Sequence, residues 1–111
     1  MIDWIALEKS AQLENLEKDS LNKTIVLFKH STRCGISLHA KEKLESSSSI
    51  LRDKADFYYL DLLNYREVST EIAQRYKVIH QSPQLIVLKN GKVSYHISHG
   101  AIEPNTLVKE L

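Results

Sequence analysis

Cysteine, proline and glycine are all scarce in this sequence, whose 111 residues include one cysteine, two prolines and three glycines. A single cysteine excludes an internal disulfide framework, so the fold depends on a hydrophobic core, for which this length is sufficient. The 15 basic and 14 acidic residues nearly cancel, and the chain has neither a long charged run nor an apolar run of membrane length. We therefore expect a single domain over residues 1–111 that binds neither nucleic acid nor a membrane.

The first residues lack the features of a secretory signal, because Asp3 and Glu8 lie where such a signal has a basic end and an apolar block. A free thiol is stable in a reducing compartment, so the sequence indicates a cytoplasmic protein. His80 and His96 have no spacing from Cys34 that specifies zinc. We accordingly expect no metal site and no bound cofactor.

The hydrophobic pattern alternates between helical and extended periodicity along the chain. It predicts an amphipathic helix in part of residues 4–19, strands over 24–29, 56–61, 84–89 and 92–98, and helices over 34–45, 64–76 and from 104 onward. Asn90-Gly91, between the last two strands, is typical of a tight hairpin turn in which both residues have positive φ. Pro104 suits the first turn of the closing helix.

The order of these elements favours one α/β architecture. Strands that are joined by a crossover helix run parallel, whereas the hairpin adds an antiparallel pair. The sequence therefore predicts a mixed four-stranded sheet with helices on both faces, which is the thioredoxin-like fold.

Cys34 follows a buried strand after a short turn and begins a helix. The first N–H groups of a helix have no internal partner, and the helix dipole adds positive charge at that end. Both effects stabilise a thiolate over the thiol, and Arg33 adds a neighbouring positive charge. This context favours a reactive cysteine, although a lone cysteine elsewhere is more often a small buried apolar residue.

Ser37 occupies the fourth position of the segment Cys34-Gly35-Ile36-Ser37, where a dithiol oxidoreductase has its second cysteine. A serine cannot resolve a mixed disulfide, although its hydroxyl can hydrogen-bond the Cys34 sulfur. The sequence therefore predicts a monothiol mechanism in which Cys34 attacks a mixed disulfide, takes up the low-molecular-weight thiol and is released by a second small thiol. Cys34 and Ser37 are the predicted catalytic residues.

Ser82-Pro83 directly precedes a predicted strand, at a place where proline would interrupt ladder pairing. In a thioredoxin-like fold this position holds a cis-proline opposite the reactive cysteine, and the preceding residue offers backbone groups to the substrate. His30 and His99 lie near strand ends on the expected side of Cys34, where a histidine can move protons or bind carboxylates. The residues assigned to substrate binding are His30, Arg33, Gly35, Ser82, Pro83 and His99.

Residues 28–37, FKHSTRCGIS, resemble the active-site segment of the YtxJ-type monothiol bacilliredoxins, also called bacillithiol system redox-active proteins. Segments 80–84 and 89–92, with Ser98-His99, match in the same order, and residues 58–61 and 66–69 are similar to the middle section of that family. The resemblance extends from about Asp3 to about Pro104. It implies a thioredoxin fold and the reduction of protein–bacillithiol mixed disulfides, with Cys34 as nucleophile, Pro83 as the cis-proline and bacillithiol as co-substrate.

Two alternatives remain beside this interpretation. Gly35 replaces the proline of the usual Cys-Pro-Ile-Ser segment, and it makes the segment similar to Cys-Gly-Phe-Ser of the monothiol glutaredoxins that bind an iron–sulfur cluster with glutathione. That family has Thr-Val-Pro before the third strand and paired glycines after the hairpin, where this chain has Ser82-Pro83 and Ser98-His99-Gly100. The second alternative is a non-catalytic binding module that keeps the fold and uses the Cys34 region only to dock partners.

Overall fold

The computed structural model describes residues 2–111, which form a three-layer arrangement of helices and strands. The strands are β1 Ile5–Ala6, β2 Ile25–His30, β3 Asp56–Asp61, β4 Gln84–Lys89 and β5 Lys92–Ser98. The α-helices are α1 Ala11–Asp19, α2 Gly35–Ser46, α3 Ser48–Leu51, α4 Arg66–Tyr76 and α5 Pro104–Lys109, and a 3-10 turn covers His99–Ala101. In the described range, no helix is long and apolar enough to cross a membrane.

The sheet has the strand order β1-β3-β2-β4-β5. β1 and β2 run parallel to β3, whereas β4 is antiparallel to both β2 and β5. The prediction of a mixed sheet with helices on both faces is confirmed. The prediction of four strands is wrong, because Ile5 and Ala6 pair with Tyr58 and Tyr59 and add a short fifth strand at the edge.

β2 lies in the middle of the sheet, and all six of its residues are buried. Successive side chains of a strand point to opposite faces, so the strand contributes to two cores. Ile25 and Leu27 pack with apolar residues of α1 and α4. Val26 and Phe28 pack with apolar residues of α2 and α5. Burial on both faces explains the nearly continuous apolar pattern of this segment.

The β4–β5 hairpin turns at Asn90 and Gly91, whose φ angles are 54° and 77°. Both values are positive, as the Asn-Gly pair predicts for this type of turn. The N–H of Gly91 donates to the Ser20 hydroxyl at 2.8 Å, which fastens the turn to the end of α1.

The helix expected in part of residues 4–19 is restricted to α1, which begins at Ala11. The segment before it is extended and held by tertiary contacts. The indole N–H of Trp4 donates to Glu45 at 2.6 Å, and its ring packs against Phe28 and Phe57. These contacts fix the N-terminal segment against α2 and the core beneath it.

Candidate active site

Cys34 lies immediately before α2, in an extended conformation with φ −109° and ψ 119°. Its N–H donates to the carbonyl of Ser31 at 3.2 Å, and its carbonyl accepts the N–H of Leu38 at 3.0 Å. The side chain is partly exposed, so the thiol is accessible at the end of a helix whose first N–H groups lack internal partners. The predicted position of Cys34 at the start of the helix is confirmed.

Ser37 is fully buried one turn into α2. Its hydroxyl oxygen accepts the N–H of Ser31 at 3.0 Å and lies 2.7 Å from Nδ1 of His30. The expectation that this hydroxyl hydrogen-bonds the Cys34 sulfur is therefore corrected. Because Ser37 Oγ already accepts one hydrogen bond, its own proton is free to be donated to Nδ1 of a neutral imidazole. Ser37 thus connects the helix to the turn that carries Cys34.

His30 is the last residue of β2 and is only 3% exposed. Its ring packs against Phe28 and Tyr59, with centroid distances of 5.6 and 5.4 Å. Burial, followed by the charge of Lys41, lowers the pKa of His30, which keeps the imidazole neutral near pH 7. The assignment of His30 to direct substrate binding is corrected, because its ring is closed off by the core. The polar contact of its ring in the described chain is with the Ser37 hydroxyl.

Replacing Ser37 with alanine is expected to lower the free energy of unfolding by about 1–3 kcal/mol, because it leaves the buried N–H of Ser31 without its partner. The measurement is chemical denaturation followed by circular dichroism. Ser46→Ala is a matched control, since Ser46 lies in the same helix but is exposed, and we expect a change within about 0.5 kcal/mol. Equal effects of the two substitutions would contradict the structural role of the Ser37 hydroxyl.

Pro83 immediately precedes β4, and the Ser82–Pro83 peptide bond is cis, as predicted. Lys29 pairs with Gln84, so β2 ends and β4 begins at the same edge of the sheet. Cys34 lies shortly after the end of β2 and Pro83 directly before the start of β4, which places both residues at this edge. The hydroxyl of Ser82 is buried and has no hydrogen-bond partner among residues 2–111. The Ser82 hydroxyl is therefore a buried, unpartnered polar group beside the cis-proline.

Three further residues predicted for substrate binding are exposed, namely Arg33, Gly35 and His99. His99 has φ 56°, and its N–H donates to the carbonyl of Pro83 at 2.9 Å. It begins the 3-10 turn that packs against α2, so it links the cis-proline to the active-site helix. Arg33 and Gly35 flank Cys34 at the surface, and a Cβ placed on Gly35 would have no neighbour within 4 Å. Gly35 therefore leaves an open approach beside the thiol.

Lys29 is a buried polar residue of β2 that is not among the residues predicted from the sequence. It is fully buried, its ammonium group donates to the carbonyl of Ser69 at 3.1 Å, and it lies 3.3 Å from Nδ1 of His80. Burial lowers the pKa of Lys29 from 10.5 to about 8. The available signal is a lysine that directly follows four apolar residues, 25–28, in a strand buried on both faces. Among residues 2–111, no group of three or more His, Cys, Asp or Glu side chains is placed to hold a metal ion.

Solved structures similar to this chain share its fold. One protein, described as having a thioredoxin fold and a candidate oxidoreductase activity, is 30% identical, with a TM-score of 0.84 over 96% of this chain and 92% of that chain. The thioredoxins of Schistosoma mansoni and Fasciola hepatica are 24% and 22% identical, with TM-scores of 0.74 and 0.72. They cover 96% and 94% of this chain and 96% and 92% of their own. The fold and the position of the thiol therefore define a thioredoxin-like protein.

The family model of the monothiol bacilliredoxin BrxC matches residues 5–107. This chain belongs to the monothiol bacilliredoxin family, as the resemblance of residues 28–37 implies. At this level its function is thiol redox chemistry, and its lone cysteine agrees with the monothiol description of the family.

Proposed function

We propose that this protein is a thiol–disulfide oxidoreductase that removes bacillithiol from mixed disulfides of client proteins through Cys34. One observation carries the proposal. The partly exposed thiol of Cys34 lies at the start of α2, and the position three residues later holds the buried hydroxyl of Ser37 in place of a second thiol. Membership of the monothiol bacilliredoxin family supports bacillithiol as the small thiol.

The exchange consists of two displacement steps at sulfur. In the first, the Cys34 thiolate attacks the bacillithiol sulfur of the client mixed disulfide; a Cys34–bacillithiol disulfide forms, and the client leaves as a thiolate that takes a proton from water. In the second, the thiolate of another bacillithiol attacks the bacillithiol sulfur attached to Cys34. Oxidised bacillithiol forms and the Cys34 thiolate is released, so the client is reduced and the small thiol is oxidised.

Several groups around the thiol suit the two substrates. Ile36 is 57% exposed next to Cys34 and offers an apolar contact to a client protein. We assign the backbone of Ser82, beside Pro83, to hydrogen bonding with the client segment. Arg33 and His99 are assigned to the carboxylates of the small thiol. We further propose that this exchange takes place in the cytoplasm, without a bound cofactor.

Mass spectrometry of the protein purified without reductant tests the proposal. We expect a single adduct on Cys34 with the mass of bacillithiol, removable by reductant. Incubation of the reduced protein with oxidised bacillithiol and, separately, with oxidised glutathione then compares the rates of adduct formation. We expect the adduct to form faster with oxidised bacillithiol than with oxidised glutathione.

Three results would contradict this assignment. A glutathione adduct, together with colour after anaerobic reconstitution with iron, sulfide and glutathione, would favour the iron–sulfur alternative. Absence of any adduct after incubation with either oxidised thiol would favour the non-catalytic binding module. A Cys34 adduct that is not displaced by added bacillithiol would leave the second step without support.

A further inference from the structure

A shallow groove of about 350 Å³ runs along α4 on the sheet face opposite to Ser37. Its walls combine apolar carbon with hydrogen-bond donors, and no carboxylate lines it. The residues that matter here are Leu62, Arg66, Ser69, Thr70, Ala73 and His80. Such a groove is open to a small ligand, and its positive charge is complementary to that of an anion.

The ammonium group of Lys29 lies directly behind this groove. It contacts the Ser69 carbonyl at 3.1 Å and Nδ1 of His80 at 3.3 Å, and both partners belong to residues that line the groove. An ammonium group has three N–H donors, so one remains after these two contacts. Neither partner carries negative charge, whereas buried charges in proteins are ordinarily paired. Among residues 2–111, Lys29 is thus a buried cation without an acidic counterpart.

The remaining groups of the groove increase this excess of positive charge. Arg66 forms no ion pair with any residue from 2 to 111, and its side chain is exposed on the wall of the groove. Nδ1 of His80 faces the ammonium group of Lys29 and must accept from it, so the ring proton of the neutral imidazole is on Nε2. The exposed ring of His80 therefore supplies a second donor beside Arg66.

We propose that this groove binds the carboxylate of a small aliphatic acid. The guanidinium group of Arg66 holds the two carboxylate oxygens, His80 contributes its Nε2–H, and the charge of Lys29 supports both from behind. Leu62 and Ala73 contact the carbon chain of the ligand, and this requirement favours a carboxylic acid over inorganic phosphate. The site lies away from Ser37 and does not depend on Cys34, so it goes beyond the proposed function.

Titration of ¹⁵N-labelled protein with butyrate, in a buffer free of carboxylate and phosphate, tests this site. We expect saturable shifts of the backbone amides at residues 66–74 and 80. Arg66→Gln and Lys29→Met should each weaken the affinity about tenfold or more, because each removes a charged partner. Arg52→Gln is the matched control, since Arg52 is an exposed arginine outside the groove. The affinity of this variant for butyrate should equal that of the wild type. Cys34→Ser should also bind like the wild type.

Inorganic phosphate and butan-1-ol test the two parts of the ligand separately. Phosphate carries negative charge without a carbon chain, whereas butan-1-ol has the carbon chain without the charge. Both are expected to bind more weakly than butyrate. Phosphate binding as tight as that of butyrate would overturn the assignment to an aliphatic acid. Absence of saturable shifts with butyrate, or unchanged affinity in both Arg66→Gln and Lys29→Met, would overturn the site itself.

Discussion

Replacing Cys34 with serine is expected to abolish both adduct formation and the release of client proteins from mixed disulfides. A hydroxyl cannot form a disulfide, and residues 1–111 contain no other thiol that could take over the reaction. The measurement is the rate at which a client labelled with bacillithiol loses that label in the presence of excess bacillithiol. The rate with Cys34→Ser should equal the rate without protein. Cys34 is partly exposed, so serine fits its place, and a native circular dichroism spectrum verifies the fold.

A displaced thiol provides the matched control for this prediction. The double variant Cys34→Ser, Ser46→Cys keeps one cysteine in the protein but moves it to the exposed last residue of α2. The helix dipole is negative at that end and opposes a thiolate, and the cis-proline edge lies at the other end of the helix. We expect no restored activity. Activity close to that of the wild type would show that any exposed thiol suffices and would contradict the role given to the position of Cys34.

The sheet is the part of the fold that the sequence predicts best. The strands over residues 56–61, 84–89 and 92–98 have the predicted bounds, and Asn90 and Gly91 have the predicted backbone angles. Local features of the sequence indicate these elements: apolar or aromatic runs in 56–61 and 84–89, apolar alternation in 92–98, and a turn that only a few residue types permit. The helices α2 and α4 differ from the prediction by one or two residues at their ends.

The N-terminal segment shows where local patterning is insufficient. A strand of two residues, Ile5 and Ala6, has no periodicity to detect, and its existence depends on the free edge of β3. The hydrogen bond from Trp4 to Glu45 joins residues 41 positions apart. Contacts of this kind are set by the packing of the whole chain, so local periodicity predicts α1 but not the strand before it.

The candidate site likewise contains some residues whose positions the sequence predicts and others whose positions it does not. The sequence placed Cys34 at a helix start and Pro83 in a cis bond, because both depend on short motifs. It does not predict the burial of His30 or of Lys29, which are adjacent in β2 but point to opposite faces of the sheet. Their surroundings come from different elements: α2 supplies Ser37 on one side, and α4 supplies Ser69 on the other. Only the assembled layers determine which of these polar side chains is buried and what it contacts.

Because Lys29 is buried, we expect the free energy of unfolding of the wild type to rise with pH. Lys29 titrates at about 8 in the folded protein and at its ordinary value of 10.5 when solvated. Between these values the unfolded chain binds more protons than the folded one, so stability increases as the pH rises through this window. At pH 7 both states are protonated, and the buried charge costs about 3 kcal/mol relative to a solvated lysine.

Lys29→Met isolates this contribution, because methionine fills a similar volume without a charge. We expect the stability of the wild type relative to Lys29→Met to increase by about 2 kcal/mol between about pH 7 and pH 9.5, as measured by urea denaturation. Lys92→Met, at an exposed position of β5, is the control, and the wild type should show no such increase relative to it. The other titratable group in contact with Lys29 is His80, whose pKa is lowered by partial burial and by Lys29 itself. A difference between wild type and Lys29→Met that is independent of pH would therefore mean that the ammonium group of Lys29 reaches water, and it would also remove the buried cation on which the carboxylate groove depends.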